Sequence, residues 1–341
     1  MIDDFQRLLD MLRDLSREEL LTLDATVRSL LSAPTPAAPN ATTDAPPAPT
    51  SAVPPPGLAG IADIEASFAC APECPHCHSK RVHKWGHANK LRRYRCKDCK
   101  VSFNCLTGTP LAQLHKRGLW AGHAQALVDG VSLRKVAERL EVHLTTAFRW
   151  RHRFLQTPKD VKAEKVQGTV EADETFFTRS YKGARKLPRE ARKRGGENTK
   201  PGLSDELIPV LIVRDRTVAA ATTDAILPDR SAVSVGACLE PVLDRKSILV
   251  TDADPAFCAV ANRLEIAHVT LVVSKGERNW DGYHLQHVNA YCHELKGWMF
   301  RFRGVATKYL DSYLGWHRMN DRDGRGDNTQ TARHVMAAAW G

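Results

Sequence analysis

No stretch of eighteen apolar residues occurs in the 341, so no membrane-spanning helix is expected. The N-terminus lacks the basic-then-apolar pattern of a secretory leader and instead carries Asp3 and Asp4. Both absences point to a cytoplasmic chain. Acids are in deficit: 39 Asp and Glu stand against 49 Lys and Arg, for a formal net charge of +10. That sign favours a polyanionic partner, nucleic acid first, over an acidic one. The shortage is sharpest between His78 and Arg117, where Asp98 is the one acid among eleven Lys and Arg. Between Ala33 and Gly57 charge of either sign is nearly missing, while nine of the 19 prolines gather there, blocking helix and sheet ladders alike. Nine cysteines make an odd count, and four of them fall in two close pairs, which suits metal binding in a reducing compartment better than a disulfide framework.

The length suits two or three domains. Apolar residues recur at near-helical intervals over residues 1–32, predicting a helical hairpin of docking or dimerisation type, followed by a linker over 33–60. Residues 70–117 form a compact basic module and 118–160 read as helices. Beyond Gly168 the apolar runs Leu207 to Val213, Val218 to Ala221, Ser247 to Val250 and Val269 to Val273 predict strands of an α/β domain over 165–320, with helices from His284 to Trp316. The segment from Asp321 is rich in Asp, Gly and Arg, and 321–341 is expected to be a flexible tail.

Cys74-Pro75-His76-Cys77 and Cys96-Lys97-Asp98-Cys99 are two CxxC pairs separated by 18 residues, a spacing that brings two hairpin turns to one tetrahedral ion. One structural zinc held by Cys74, Cys77, Cys96 and Cys99 is the expectation. A redox CxxC would leave the second pair unexplained. His78 and Lys100 stand where zinc knuckles often have glycine, so both must tolerate the turn. Trp85, Tyr94 and Phe103 are expected to form the ribbon's small core, and Arg92, Arg93 and Arg95 to contact phosphates.

Ser132 is placed to cap a helix through Leu133, Val136 and Leu140, and Glu141-Val142-His143 turns the chain into a second helix with Ala147, Trp150 and Phe154 inward. This is helix-turn-helix spacing. Thr145, Thr146, Arg149, Arg151 and Arg153 on the second helix are the candidate DNA contacts. Between Lys182 and Lys200, basic residues including Arg192, Lys193 and Arg194 mix with Gly and Pro; they read as a loop tracking DNA or as a solvated insertion.

Val170 to Phe177 places Glu171, Asp173 and Glu174 in a β-prone apolar stretch, where a carboxylate is costly unless a cation binds it. Glu171 shares a strand face with Asp173, and Glu174 does not. Ile248 to Asp252 ends a buried-looking strand in an acid, although Asp252 could equally cap a helix beginning near Pro255, and Asp254 could replace it as a ligand. On the helix from His284, Asn289 and Lys296 are seven apart and nearly superposed, whereas Glu294 is turned about 140° from Asn289. His287 and His293 are alternative ligands beside Asn289.

The segments RYRCKDCKVSFNCLTGTPLA, LTTAFRWRHRFL, VEADETFF, RKRGGENTKPGLSDE and HLQHVNAYCHELKGWMFRFRGVATKYLDSYLGW resemble the bacterial insertion-sequence transposases that combine a zinc ribbon with an Asp-Asp-Asn-Lys or Asp-Asp-Glu-Lys site, the ISXO-like family numbered fifteen ninety-five. The resemblance spans about Cys74 to Trp316. It implies an α/β fold with a ribonuclease H-like catalytic domain preceded by a zinc ribbon and a helix-turn-helix. Asp173, Asp252, Asn289 and Lys296 match the four site positions, the first three as ligands of two magnesium ions and Lys296 as a residue positioning DNA phosphate. The implied activity is cleavage and strand transfer at terminal inverted repeats by a homo-oligomer on paired ends, near the nucleoid. A catalytically inactive DNA-binding regulator derived from a transposase, and a nuclease that cuts without rejoining, are the rival readings.

Overall fold

The computed structural model describes residues 59–190, 204–272, 275–323 and 328–340. The expected N-terminal hairpin, nearly all of the linker and the loop with Arg192, Lys193 and Arg194 lie outside the described residues.

Helix α1 (Ile61–Cys70) leads into a three-stranded antiparallel sheet of β1 (Val82–Ala88), β2 (Leu91–Cys96) and β3 (Ser102–Phe103). Asn89 and Lys90 join β1 to β2 with φ of 52° and 60°, the two positive values a tight two-residue hairpin demands. His78 and Lys100 also adopt left-handed backbone, φ 56° and 62°, so the turns after both cysteine pairs keep the knuckle geometry without glycine. Tyr94 faces Phe103 across the sheet, the rings stack 6.1 Å apart, and Phe68 of α1 meets Tyr94 edge-on at 5.3 Å. Trp85 is not in this core. The register slips between Lys84 and His87, and Trp85 turns outward, 45% exposed, with the Arg95 guanidinium 4.8 Å from its ring centroid.

Helices α2 (Trp120–Val128), α3 (Leu133–Arg139) and α4 (Leu144–Phe154) follow. Ala147, Trp150 and Phe154 of α4 are buried, as their spacing predicts, against Trp120, Ala124 and Leu127 of α2 and Val136 of α3. Glu141 reverses the chain at φ 50°. Ser132 occupies the N-cap of α3 without a side-chain bond, whereas the His143 ring caps α4 by accepting from the Thr145 amide at 3.3 Å.

The α/β portion comprises β4 (Thr169–Thr178), β5 (Leu207–Asp215), β6 (Thr222–Ile226), α5 (Ala232–Leu239), β7 (Ile248–Asp252), α6 (Pro255–Leu264), β8 (Ala267–Leu271), α7 (Gln286–Phe300) and α8 (Leu310–Asp323). The sheet order is β6-β5-β4-β7-β8, with β4, β5 and β6 an antiparallel meander and β7 and β8 parallel to β4. This is the ribonuclease H-like arrangement. Period-two alternation sends Val170 and Ala172 of β4 into one core with α5 and α6, leaving Glu171, Asp173 and Thr175 for the α7 side. The strand expected at Val218 to Ala221 starts four residues later, at Thr222, and Val218 is wholly exposed. Asp215 explains the delay: its Oδ1 accepts from the amides of Thr217 and Ala221 at 3.1 and 3.0 Å, locking residues 216–221 into a turn.

The expected flexible tail is also corrected. Helix α9 (Asn328–Trp340) packs on α2, with Val335, Met336 and Ala339 buried, and Trp340 Nε1 donates to the Cys105 carbonyl at 2.7 Å. Apolar residues at helical spacing outweigh the breaker-rich segment before them. No helix among the described residues is long and apolar enough to cross a membrane.

Candidate active site

Asp173 lies mid-strand on β4, and Asp252 ends the neighbouring parallel strand β7, so the sheet delivers both carboxylates to one place. Burial pushes the Asp173 carboxyl up to about 6 against the bond from the Glu174 amide; Asp252 adds to the rise and Lys296 opposes it. Asp252 and Lys296 are therefore each within electrostatic reach of Asp173. Asp173 Oδ1 accepts the Glu174 amide at 2.8 Å and Asp252 Oδ1 the Asp254 amide at 3.2 Å. These bonds orient both carboxylates and leave Oδ2 of each without a hydrogen bond among the described residues. Two acids facing one cation, one of them half-buried and reluctant to ionise, form a donor set that a hard divalent ion stabilises.

The structure also separates the competing acids. Asp254, not Asp252, caps α6, accepting from the Ala256 amide at 2.8 Å. It also binds Arg230 at 2.6 Å, and Arg230 in turn binds Glu174 at 2.7 Å on the far side of β4. Glu171 is fully buried and committed to Arg216, at 2.7 Å, and to His287, at 2.8 Å. Glu171, His284 and His287 lie close enough to share an ion, but the Arg216 guanidinium already bonds both Glu171 and the His284 ring. On α7, Val288, Tyr291, Cys292 and Leu295 are buried, while Asn289, Glu294 and Lys296 are exposed. Asn289 sits two turns before Lys296, and its carboxamide makes no hydrogen bond among the described residues.

Cys292 of α7 is a buried free thiol. Burial pushes it up to about 12, and the nearby Asp173 adds to the rise. It therefore stays a neutral thiol beside the carboxylates.

In the ribbon, the sulfurs of Cys74 and Cys99 are 3.5 Å apart and those of Cys77 and Cys96 3.6 Å, and all four lie within 4.8 Å of one another. Tetrahedral zinc with Zn–S near ~2.3 Å requires sulfurs ~3.8 Å apart, so the cluster fits that ion. Of the candidate DNA contacts, Thr145 and Arg149 are exposed, and Thr146 and Arg153 are half-buried. Arg153 donates to the Ala112 carbonyl, Arg93 to Ser102 and Arg95 to the Lys100 carbonyl, while Arg92 lies half-buried on β2. Arg151 is a correction. It is 1% exposed, donates to the Val131 carbonyl at 2.6 Å and lies 5.0 Å over the Trp316 ring, so it is a core residue that no phosphate reaches.

Residues 165–316 match the ISXO2-like transposase domain. A protein in transposable element ISH50 of Halobacterium salinarum is 24% identical over 247 residues, 71% of this chain and 82% of its own length. Among solved structures, the Mos1 transposase paired-end complex with left transposon end aligns over 64% of this chain and 76% of its own at 14% identity and a TM-score of 0.27. A chain of the simian T-cell lymphotropic virus intasome bound to a PP2A regulatory subunit aligns over 58% and 68% at 12% identity and a TM-score of 0.28. The fold assignment rests on the strand order rather than on these superpositions. Residues 165–316, the segment that carries Asp173, Asp252, Asn289 and Lys296, thus form an ISXO2-like transposase domain.

Proposed function

We propose that this transposase binds the terminal inverted repeats of its element through the ribbon and the helix-turn-helix, and cuts and rejoins DNA at Asp173, Asp252 and Asn289. Two magnesium ions are the proposed cofactors, with one structural zinc on the four cysteines. Bound magnesium would lower the cost of ionising the attacking hydroxyl and of charging the leaving oxygen. Asp173 and Asp252 would hold the ions through their free Oδ2 atoms. Asn289, being neutral, would hold them less tightly than a glutamate, and Lys296 would orient the DNA phosphate. The exposed Thr145 and Arg149 lie on the helix that a helix-turn-helix presents to the major groove. Two ends must be handled together, so a homo-oligomer on paired ends is the proposed assembly, working at the nucleoid of a bacterial cytoplasm.

The observation that carries this reading is the half-buried Asp173, raised to about 6, with Asp252 and Lys296 beside it. The test is magnesium-dependent nicking and joining of end DNA. Wild-type protein should nick and join, and Asp173→Ala should bind ends without cutting. Asn289→Ala should lose at least tenfold more activity than Glu294→Ala. End binding without any cutting by the wild type would instead support the regulator, and cutting without joining the nuclease.

A further inference from the structure

A cavity of about 680 Å³ opens beside Lys296, between the end of β4 and the end of α7. Its walls are the chain leaving β4, with Phe176, Arg179 and Lys182, and the α7 exit, with Phe300 and Arg303. Among the described residues, no Asp or Glu lines it. Paired bonds frame it: the Ser180 amide donates to Thr307 Oγ1 at 2.8 Å, the Thr307 amide to the Ser180 carbonyl at 2.9 Å, and Lys182 Nζ to the Gly304 carbonyl at 2.9 Å. The walls are thus held without a ligand.

Phe300 is 68% exposed and stands in the wall of this cavity with its ring open to whatever enters. Arg303, reversed at φ 53°, brings its guanidinium 4.6 Å from the Phe300 centroid. Phe300 follows Lys296 by four residues, one helical turn and about 6 Å along the axis, a gap one nucleotide bridges. Phosphate at Lys296 would therefore put the adjoining base at Phe300. Cations around an exposed aromatic ring, with no acid among the described lining residues, suit a polyanion that also carries a flat apolar face.

We propose that this cavity receives one unstacked nucleobase of the DNA strand being cut, adjacent to the scissile phosphate, with its ring against Phe300 and its phosphate among Lys296, Arg303 and Lys182. This rests on the transposase reading of the neighbouring carboxylates. It adds a subsite that selects for DNA able to give up a base at the cut, since unpairing costs least where pairing is already weak.

The experiment uses the full chain with magnesium and end DNA in which a tetrahydrofuran abasic residue replaces each nucleotide flanking the cut in turn, reading cleavage kcat/KM. At one position the abasic residue should cost the wild type about tenfold, the scale of one stacked base. Phe300→Ala should lose about tenfold on intact DNA and nothing further with that abasic substrate, and Phe300→Trp should restore the wild-type pattern. Independent, multiplying losses, or no position sensitive to base removal while cleavage proceeds, would overturn the pocket and leave the transposase standing. Absence of any metal-dependent cleavage by the wild type would overturn the transposase reading and the pocket with it. Because Phe300 is exposed, an unchanged thermal melt of Phe300→Ala will show that a loss of rate is not a loss of fold.

Discussion

Glu171 Oε2 accepts the amide N–H of Val288 at 3.0 Å, a bond that ties the strand of Asp173 to the helix of Asn289 and Lys296. Glu171 is two residues from Asp173 on the same strand face, and Val288 is the neighbour of Asn289. Oε1 holds Arg216 and the His287 ring, and Arg216 reaches on to the carbonyls of Gly282 and His284. One buried carboxylate therefore sets how α7 docks on β4. Glu171→Gln keeps the volume and removes the charge, leaving Arg216 without its counter-ion. We expect a loss of about 3 kcal/mol in urea denaturation and a fall in kcat of at least tenfold with little change in KM for DNA. Wild-type values in both assays would show that this bond does not set the geometry.

Asp173 makes the metal-free protein sensitive to pH in a defined direction. Its carboxyl sits at about 6 in the folded chain, above its ordinary value of 3.8, so between these pH values the native state holds the extra proton. Stability should fall as pH rises from about 4 to 6, by on the order of 2–3 kcal/mol. Asp173→Asn should abolish that fall and be the more stable protein at pH 7.5 without metal. Magnesium at pH 7.5 should raise the melting temperature of the wild type and not of the variant. Denaturation curves at pH 4.5 and 7.5 decide this: a constant gap between the two proteins would contradict it.

Arg151 and Arg149 are two positions apart on α4 and should fail in different assays. Arg149→Ala, on the exposed side, should weaken end binding and flatten its salt dependence with no change in melting. Arg151→Ala vacates a core site between Val131, Tyr313 and Trp316, and should cost about 2–4 kcal/mol. The reverse assignment of effects in parallel melts and binding titrations would restore Arg151 to the DNA-facing surface.

Zinc removal should act on the ribbon first. Chelation or Cys96→Ser takes away the ion that fits the four sulfurs, and a core of Tyr94, Phe103 and Phe68 is too small to hold the three strands alone. End binding should drop at least tenfold while the melting of the α/β portion stays put. Equal binding by zinc-free protein would remove the ribbon from end recognition.

Local signals were legible from the start: the CxxC pairs, the apolar spacing of Ala147, Trp150 and Phe154, the strand runs of β5, β7 and β8, and Asp173 and Asp252 at apolar strand positions. Each depends on ligand spacing or on a period of 2 or 3.6 within one element. The exposed Trp85 escaped this reading because a register slip lies in pairing, not in composition. Val218 escaped because the Asp215 side chain closes its turn.

What the residue order settled was therefore the chemistry at hand, meaning which side chains could hold zinc or a hard cation, since ligand type and periodicity are properties of short segments. Which acids are free to do so was settled by the fold. Asp254 is spent on a helix cap and Arg230, Glu171 on Arg216 and α7, and Arg151 on Tyr313, 162 residues away. The apolar face of α9 likewise finds its place through Trp340 and Cys105, 235 residues apart. Whether a polar group ends up buried and paired or exposed and available depends on partners that meet only when the chain packs, and spacing along the chain carries no record of them.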